Sequence, residues 1–384
     1  MHIAFITSNY PSPSHPTNGT FVQQFVWAMA RYGHECSVIN PVSLFDLRFG
    51  TYPPRVAKED AGSGRLVLVY RPRYISFSSL NLGWTHTGRW TQSFFNYAVK
   101  CTINSLPTLV NIVYGHFLYL AGFASLRIGE LLGVPSVSGV GESSPWTLEA
   151  YGTNNASKHF EKKGYFLANS IPNMEMLVNQ LGISSARILI EPNGVDLKWM
   201  YPRNSQEMKK KYAITTDNFI VAFVGANDSR KGPDRLIEAI ESIEDVNCIL
   251  MGRDTEALKS IRIIMSGPVS HKIVPELISC ADIFVLPTMN EGSCNAVIEA
   301  MACGLPIVTS NGRYMDDIVD DEVAIRVDPT NVGEIREAII ALKNNPERRK
   351  RMSEACLRKA MHFDINERAL RVTKWINELI RQTS

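Results

Sequence analysis

The sequence lacks several features that mark other classes of protein. Its 384 residues carry 40 Lys and Arg against 38 Asp and Glu, so no overall basic excess indicates a nucleic-acid partner. The seven cysteines are scattered without a C-x-x-C pair, which argues against structural zinc and favours a reducing compartment. No D-x-D triad occurs, and no His or Cys cluster has the spacing of metal ligands. We therefore expect neither a metal nor a bound cofactor.

Long uninterrupted hydrophobic segments are also missing. The longest apolar region, residues 109–134, is broken by Asn111, His116, Arg127 and Glu130, so we do not expect it to cross a bilayer. The first residues have no basic segment before an apolar core, and we interpret them as a buried strand rather than a signal peptide. We expect a cytoplasmic protein, and peripheral contact with the inner face of a membrane stays open.

The sequence does contain a regular alternation of apolar runs and amphipathic stretches. The runs are continuous rather than alternating, which is typical of parallel strands that are covered on both faces. The strand candidates are residues 2–7, 36–40, 66–70, 109–115, 135–140, 165–170, 187–192, 219–225, 248–252, 282–287, 306–310 and 323–327. The pattern predicts an α/β fold with doubly wound parallel sheets.

Twelve strands are more than a single sheet usually contains, so we expect the chain to form two domains. The segment 191–212 contains two prolines, an Asn-Gly turn and a basic run, and it suits a connection between domains. We predict an N-terminal domain at residues 1–170 and a C-terminal domain at residues 171–363, with a last helix at residues 364–384. Two such domains would hold a ligand at the carboxyl ends of their strands.

The most informative segment is PTMNEGSCNAVIEAMACGLPIVTS, residues 287–310. Glu291 precedes a predicted helix, where exposed amides and the helix dipole favour anions, and Glu299 lies inside that helix. The predicted helix start comprises Gly292, Ser293, Cys294 and Asn295. Two carboxylates beside an anion-binding helix start suit the hydroxyls of a sugar or ribose together with a phosphate. A capped helix with one surface and one buried Glu is the alternative.

A second segment, FVGANDSRKGPDRL, ends a strand at Gly225 and opens a helix at Pro233. Arg230 and Lys231 stand in the loop beside that helix start, which also contains Asn227. Two cations there can hold a diphosphate, Arg through its planar fork and Lys as a point charge. A solvated basic pair is the alternative.

Three further candidates lie in the N-terminal half. Gly19 and Thr20 follow the first strand, where small residues would let phosphates approach backbone amides. His116 follows the strand at 109–115, at a carboxyl end where ligands bind in open α/β sheets. The stretch 139–143 resembles a dinucleotide fingerprint without its third glycine. A capped surface loop and a structural histidine are the alternatives.

Together these segments resemble the family 4 glycosyltransferases, which have the two-domain GT-B architecture. The resemblance covers nearly the whole chain and is carried by Glu291-x7-Glu299 with EAMACGLPIV, by PNGVD at 192–196, and by FVG…KG. It implies two Rossmann-like domains facing a central cleft, with the last helix crossing back to the first domain. It also implies retaining transfer of a sugar from a nucleotide diphosphate, UDP rather than GDP. The implied acceptor is a glycan or lipid-linked sugar in cell-envelope or exopolysaccharide biosynthesis.

The resemblance implies roles for residues of the C-terminal domain. Glu299 would hold the ribose hydroxyls. Glu291 and the backbone of residues 292–295 would contact the donor sugar and its phosphates. Lys231, with Arg230, would neutralise the diphosphate and replace a metal.

In the N-terminal domain the resemblance implies that Gly19 lines the donor phosphates and that His116 approaches the donor sugar.

Two positions depart from the family pattern. Glu142 lies in the stretch where the family often has His-Gly-x-Asp, and it could reach the acceptor. Ala226 stands where the family often has Arg, and Arg230 could supply that charge from a different backbone position.

The acceptor is expected to contact two loops of the N-terminal domain, residues 41–63 and 72–90, together with Arg71, which directly precedes the second loop. Their cations and aromatics are Arg48, Arg55, Arg71, Arg73, Trp84 and Trp90. Such residues suit a sugar chain or a lipid-linked diphosphate at a membrane surface, with an ordinary solvated loop as the alternative.

Two other functions stay open. A nucleotide-sugar epimerase would share the phosphate and ribose contacts but would need further acid–base groups near the sugar. A nucleotide-binding scaffold would keep the fold without turnover. An NAD-dependent dehydrogenase is disfavoured, because no complete glycine fingerprint occurs.

Overall fold

The computed structural model describes residues 1–45, 52–77, 80, 82–83, 86–142, 153–160 and 163–383. The chain forms two compact units, one made of Met1–Pro192 with Ile365–Ser384 and the other of Asn193–Asp364. Each unit has its own sheet and its own hydrophobic core.

The first unit is built on a large, mostly parallel sheet. Its strands are β1 (His2–Thr7), β2 (Glu35–Ile39), β3 (Val42–Ser43), β4 (Val56–Asp60), β5 (Leu66–Tyr70), β6 (Arg73–Tyr74), β7 (Ile112–His116), β8 (Ser136–Val140), β9 (Tyr165–Ala168) and β10 (Ile188–Ile190). Eight of these strands pair in the order β10-β9-β8-β7-β1-β2-β5-β4, and β3 pairs with β6. The edge strand β4 runs antiparallel to β5, unlike the parallel pairing predicted for the sheets.

The second unit has a six-stranded sheet in which every pair is parallel. Its strands are β11 (Phe219–Val224), β12 (Val246–Met251), β13 (Ile263–Gly267), β14 (Ile283–Leu286), β15 (Ile307–Ser310) and β16 (Ala324–Val327). They pair in the order β13-β12-β11-β14-β15-β16. The central strands β11, β12, β14 and β15 are almost wholly buried, as their continuous apolar sequences predict.

Helices connect the strands and cover the sheets. They are α1 (Thr20–Arg31), α2 (Gly88–Ile103), α3 (Phe123–Leu132), α4 (Thr153–Phe160), α5 (Ile171–Leu181), α6 (Ser205–Lys211), α7 (Pro233–Glu241), α8 (Val274–Ile278), α9 (Asn295–Ala302), α10 (Val332–Lys343), α11 (Pro346–Ala360) and α12 (Ile365–Thr383). Within the described part of the chain, none of them is both long enough and apolar enough to cross a membrane.

The last helix, α12, belongs to the first unit, as the resemblance implies. Its apolar stripe includes Val372 and Ile376, which are 0% and 1% exposed and lie in the same core cluster as Phe5 and Val26. The chain therefore passes through the second unit and then returns to complete the core of the first.

The boundary between the units lies after Pro192 rather than after residue 170. β10 pairs in parallel with β9, so the helix α5 and the strand β10 extend the first sheet beyond the predicted boundary. A turn-rich segment indicates a connection, but the pairing partner of a strand decides the unit to which it belongs, and that partner is not visible in local sequence.

All twelve predicted strands correspond to strands of the structure, and four others were not predicted. Two of these, β3 and β6, are only two residues long. The other two, β4 and β13, lie at sheet edges, and neither is a fully buried run: β4 alternates between exposed and half-buried residues. An edge strand has one partner and less cover, so its sequence need not be continuously apolar.

Each sheet has one position at which the strand order reverses. In the first sheet, β1 lies between β2 and β7, and Thr7 of β1 pairs with His116 of β7. In the second sheet, β11 lies between β12 and β14, and Val221 of β11 pairs with Ile283 of β14. At such a switch point the loops after the two central strands diverge and leave a crevice for a ligand.

Replacing Ile376 by Ala should destabilise the first unit. The side chain is 1% exposed, and its loss removes apolar contacts and leaves a cavity, at a cost of about 2–5 kcal/mol. Denaturant unfolding measures the change, and the exposed Asn377→Ala on the same helix is the control. Equal stability of the two variants would show that α12 is not part of this core.

Candidate functional site

Two cations and a carboxylate meet at the switch point of the second sheet. Arg230 and Lys231 lie in the loop after β11, and Glu291 lies in the loop after β14. Arg230 Nη1 donates to Glu291 Oε1 at 3.1 Å, and Lys231 Nζ donates to the same oxygen. Thr288 Oγ1 donates to it as well, at 2.8 Å. The structure thus brings Glu291 into contact with two cations that precede it in the sequence by 61 and 60 positions.

Backbone contacts hold the two loops against each other. Arg230 Nη1 also donates to the carbonyl oxygen of Asn290 at 2.9 Å, and the amide of Met289 donates to the carbonyl of Arg230 at 2.8 Å. The amide of Lys231 donates to Asp228 Oδ1 at 2.7 Å, which fixes the turn before α7. The positions of the two cations are therefore set by the fold before any ligand binds.

The cluster carries more positive than negative charge. The carboxylate of Glu291, whose side chain is 9% exposed, faces two cations. The Arg230 side chain is 39% exposed and that of Lys231 is 16% exposed, so both can be reached from solvent. A half-buried site with a surplus cation attracts an anion.

The helix α9 begins beside this cluster without a cap of its own. Cys294 is its N-cap residue, no side chain caps it, and its first turn contains no acidic residue. Asn193 contacts the helix start, since its amide donates to Ser293 Oγ at 3.3 Å and its Nδ2 donates to Asn295 Oδ1 at 3.0 Å. Burial raises the pKa of the Cys294 thiol to about 12, so the thiol stays neutral and acts in packing.

Glu299 is the second carboxylate of this segment, and it has a partner that the sequence did not indicate. Glu299 is 8% exposed, and its Oε1 accepts a hydrogen bond from His271 Nε2 at 2.8 Å. Burial by itself lowers the pKa of His271, but the hydrogen bond and the charge of Glu299 outweigh burial and raise it. His271 follows β13, so recognising that edge strand would have placed this histidine at a carboxyl strand end.

Three other predicted residues support these loops. A Cβ at Gly225 would lie 3.0 Å from the Phe223 ring and 3.4 Å from Lys231 Cδ, so glycine leaves room for the lysine. Asn227 Nδ2 donates to the carbonyl of Asp254 at 3.1 Å and thus ties the β11 loop to the β12 loop. Gly292 is buried between Glu291 and the start of α9.

In the first unit, Gly19 and Thr20 form the start of α1 after β1. Gly19 is the N-cap residue with φ 69°, and a Cβ there would lie 2.3 Å from the carbonyl oxygen of Asn9. Only glycine fits this position without strain. Neither a side-chain cap nor an acidic first-turn residue occupies this helix start.

His116 lies on the other flank of the same switch point, at the end of β7. It is 4% exposed and packs against the rings of Phe21 and Phe117, with centroids 5.2 and 4.6 Å away. Neither of its ring nitrogens has a hydrogen-bond partner among the described residues. Burial, with the charge of Arg368, lowers its pKa to about 3, so the imidazole is neutral and can both donate and accept.

Glu142, which was expected to be able to reach an acceptor, accepts hydrogen bonds from the backbone. Its Oε1 accepts from the amide of Leu118 at 2.6 Å, and its Oε2 accepts from the amide of Gly141 at 3.0 Å. The carboxylate is 8% exposed and holds the turn after β7, where Phe117 has φ 71°. Glu142 is therefore engaged by the backbone of its own unit, and the neighbouring Ser143 lies outside the described residues.

A cavity of about 300 Å³ lies in the first unit, beside the carboxyl ends of β1 and β2. Its lining consists of Ser8, Tyr10, Ser12, Ser14, His15, Asn18, Asn40, Pro41, Val42, Ser43, Phe45, Pro53, Tyr74 and Ser76. This lining of described residues contains hydroxyls, amides and aromatic rings but no Asp, Glu, Lys or Arg. It suits an uncharged, hydroxylated ligand, and 300 Å³ is at the lower end of small-molecule pockets.

The predicted acceptor cations lie near this cavity. Arg73 stacks on Tyr52 at 4.6 Å and donates to the carbonyl of Pro53, a residue of the cavity lining, at 2.5 Å. Arg71 is buried and donates to the carbonyl of Pro11 at 2.9 Å. Arg55 and Trp90 are exposed. Arg48 and Trp84 lie outside the described residues.

Comparisons with known proteins bear on the family and the fold of the chain. The family model for glycosyl transferases group 1 matches residues 204–358. A Bacillus subtilis (strain 168) protein, named as teichuronic acid biosynthesis glycosyltransferase TuaC, is 25% identical over 352 residues, with 88% of each chain covered. A sucrose-phosphate synthase from Thermosynechococcus elongatus matches 100% of both chains with TM-score 0.79 and 17% identity. Anabaena HepE, solved with UDP, matches 98% of this chain and 100% of its own with TM-score 0.72 and 15% identity. The predicted two-domain GT-B fold is confirmed.

The pKa of His271 should depend on Glu299. In the native protein we expect it above the usual value for histidine, and in Glu299→Gln we expect it to be lower, because the charge of the carboxylate is lost while burial still acts on the ring. The stabilisation that this pair provides should be complete at low pH and lost as the pH rises through the raised pKa.

Histidine NMR titration of both proteins measures this shift. His116, whose pKa is lowered to about 3, is the internal control and should not titrate in the neutral range of either protein. An unchanged His271 titration in Glu299→Gln would contradict the contact.

Proposed function

We propose that the chain, of which residues 204–358 match the family model for glycosyl transferases group 1, transfers a sugar from a nucleotide diphosphate to a glycan or lipid-linked acceptor. The observation that carries this proposal is the cluster of Arg230, Lys231 and Glu291 at the switch point between β11 and β14. The cluster combines fixed cations with a carboxylate and an uncapped helix start, which are the groups that a sugar diphosphate requires.

The cations act on the leaving group. When the bond between the anomeric carbon and the diphosphate oxygen breaks, negative charge grows on the diphosphate and positive charge on the sugar. Lys231 and Arg230 stabilise the diphosphate, as does the start of α9, because they are positioned before the reaction begins. Losing one such donor costs about 3–4 kcal/mol of barrier. These two cations replace a metal ion in our proposal.

Glu291 and Glu299 serve different parts of the donor. Glu291 is held beside the cations, where its carboxylate can accept hydroxyls of the sugar. Glu299 uses Oε1 for His271, and its Oε2 is left for a ribose hydroxyl. His271 thereby becomes a positioning residue for Glu299, which orients the carboxylate toward the nucleoside.

We propose UDP rather than GDP as the nucleotide, and retention of the anomeric configuration. The complex of HepE with UDP supports UDP, since that protein shares this fold over nearly its whole length. For retention, the acceptor oxygen attacks from the side on which the diphosphate leaves, and its proton passes to a diphosphate oxygen. In the first unit, Gly19, Thr20 and the neutral His116 are proposed to contact the reacting groups, with His116 bonding to a sugar hydroxyl.

The cavity of the first unit is the proposed acceptor site. Its hydroxyl and amide lining suits an uncharged sugar unit, and its aromatic rings can pack on the sugar face. The name of TuaC supports a role in a cell-envelope polysaccharide pathway. The seven free cysteines, six of them buried, support a cytoplasmic location.

Two substitutions should affect nucleotide binding in different ways. Lys231→Ala should weaken UDP binding by about tenfold to a hundredfold and leave uridine binding unchanged, because only the diphosphate contact is lost. Glu299→Ala should weaken both ligands, because the ribose contact is common to them. Calorimetry without metal, with uridine as a competitor, measures both.

Lys350→Ala is the matched control, since this exposed lysine lines a pocket with Asp282 and Pro306, which directly precede β14 and β15 at the amino ends of these strands. Absence of binding by any nucleotide would refute the donor site. Nucleotide binding without transfer to any acceptor would favour the scaffold function.

Filling the cavity should abolish acceptor binding alone. In Ser76→Phe the ring occupies the cavity, so saturation-transfer NMR should lose the signal of glucose, galactose or N-acetylglucosamine, whichever wild type binds. UDP binding should be retained. Ser105→Phe, at an exposed position before β7, is the control. A stronger signal for glucuronic acid than for the neutral sugars would contradict an uncharged acceptor.

A further inference from the structure

One face of the first unit exposes a cluster of aromatic rings. Trp90, Phe94 and Tyr97 are 36%, 41% and 69% exposed, and their spacing places them in one stripe along α2. Phe77 is 39% exposed, and its ring lies 5.5 Å from that of Trp90 and 6.1 Å from that of Phe94. We call these four residues the aromatic face. Such a continuous exposed patch marks an interaction surface.

Packing of the helix does not require these rings. The opposite side of α2 buries Thr91, Phe95 and Val99. Phe95 and Val99 belong to the core, so α2 is already anchored there. Leu80, which is 57% exposed, is tied to the start of α2 because its amide donates to Thr87 Oγ1 at 2.9 Å. It therefore adds exposed apolar area at the start of α2.

Cations outnumber carboxylates around the aromatic face. The sequence contains no Asp or Glu between Asp60 and Glu130. The cations in that interval are Arg65, Arg71, Arg73, Arg89, Lys100 and Arg127. Arg89 and Lys100 are exposed on α2, near its two ends and on the same side of the aromatic stripe. The nearest carboxylate of the described chain in this region, Glu130, lines a pocket with Tyr97 and Lys100 and is paired with Lys163. A partner of this surface should therefore be apolar and carry negative charge.

An anionic membrane has both properties. Trp and Tyr rings favour the headgroup region of a bilayer because each has an apolar body and a polar edge. Exposed Lys and Arg side chains are attracted by anionic lipids. A second copy of the chain would instead bring the same cations together. We propose that the aromatic face, flanked by Arg89 and Lys100, docks the first unit on the surface of an anionic lipid bilayer.

This docking goes beyond the proposed sugar transfer and explains how a lipid-linked acceptor could be reached. Ser76 lines the cavity of the first unit, and the next residue, Phe77, belongs to the aromatic face. Phe45, which also lines the cavity, is 64% exposed. A sugar carried on a membrane lipid could therefore enter the cavity while its lipid remains in the bilayer.

Vesicle co-sedimentation of the full chain tests the docking without nucleotide or acceptor. Wild type should bind vesicles of phosphatidylglycerol and phosphatidylcholine and should bind pure phosphatidylcholine far more weakly. The double variant Phe94→Ser/Tyr97→Ser should bind about tenfold more weakly, because apolar area no longer enters the bilayer. Arg89→Gln/Lys100→Gln should bind roughly 20-fold more weakly at low salt, and salt should reduce the difference.

Tyr32→Ser and Arg65→Gln are the matched controls, since both residues are exposed in the first unit outside the aromatic face. Thermal unfolding should show that all variants remain folded, and UDP binding should be the same in all of them. Failure of wild type to bind anionic vesicles, or binding by both double variants as strong as that of wild type, would overturn the docking whether or not UDP binds. A dimer that both double variants abolish would assign the face to a second copy and would also overturn it.

Discussion

The contact of Arg230 and Lys231 with Glu291 is the interaction on which the candidate donor site depends. Each cation would repel the other without the carboxylate, and the carboxylate would be costly to bury without the cations. The three side chains come from loops after β11 and β14, which are adjacent only because the strand order reverses there. Sheet topology thus creates a surplus of positive charge beside the start of α9.

The first unit repeats the same arrangement with different chemistry. Gly19 follows β1 and His116 ends β7, so both flank the switch point of the first sheet. These two residues are a glycine at an uncapped helix start and a neutral imidazole. The hydroxyl-lined cavity lies beside this position. One topology therefore places an ion cluster at the switch point of one sheet and a glycine with a neutral imidazole at that of the other.

Much of the fold and part of the site could be predicted from the sequence. Continuous apolar runs identified the buried strands, and Glu291, Arg230 and Lys231 were predicted because helix starts after strands are places for anions. His271 was missed because β13 is an edge strand whose sequence is not a buried run. The role of Glu142 was also hidden, since its partners are backbone amides that no sequence pattern reveals. Local patterns predict elements, whereas pairing and backbone contacts require the assembled fold.

The central claim is that two fixed cations, rather than a metal ion, neutralise the leaving diphosphate. The most direct measurement is the release of nucleoside diphosphate from the nucleotide sugar by wild type and by Lys231→Met, each with excess EDTA and with excess Mg²⁺. The account predicts that wild type turns over equally in both conditions and that the variant is slowed in both. Turnover that EDTA abolishes and Mg²⁺ restores would contradict it.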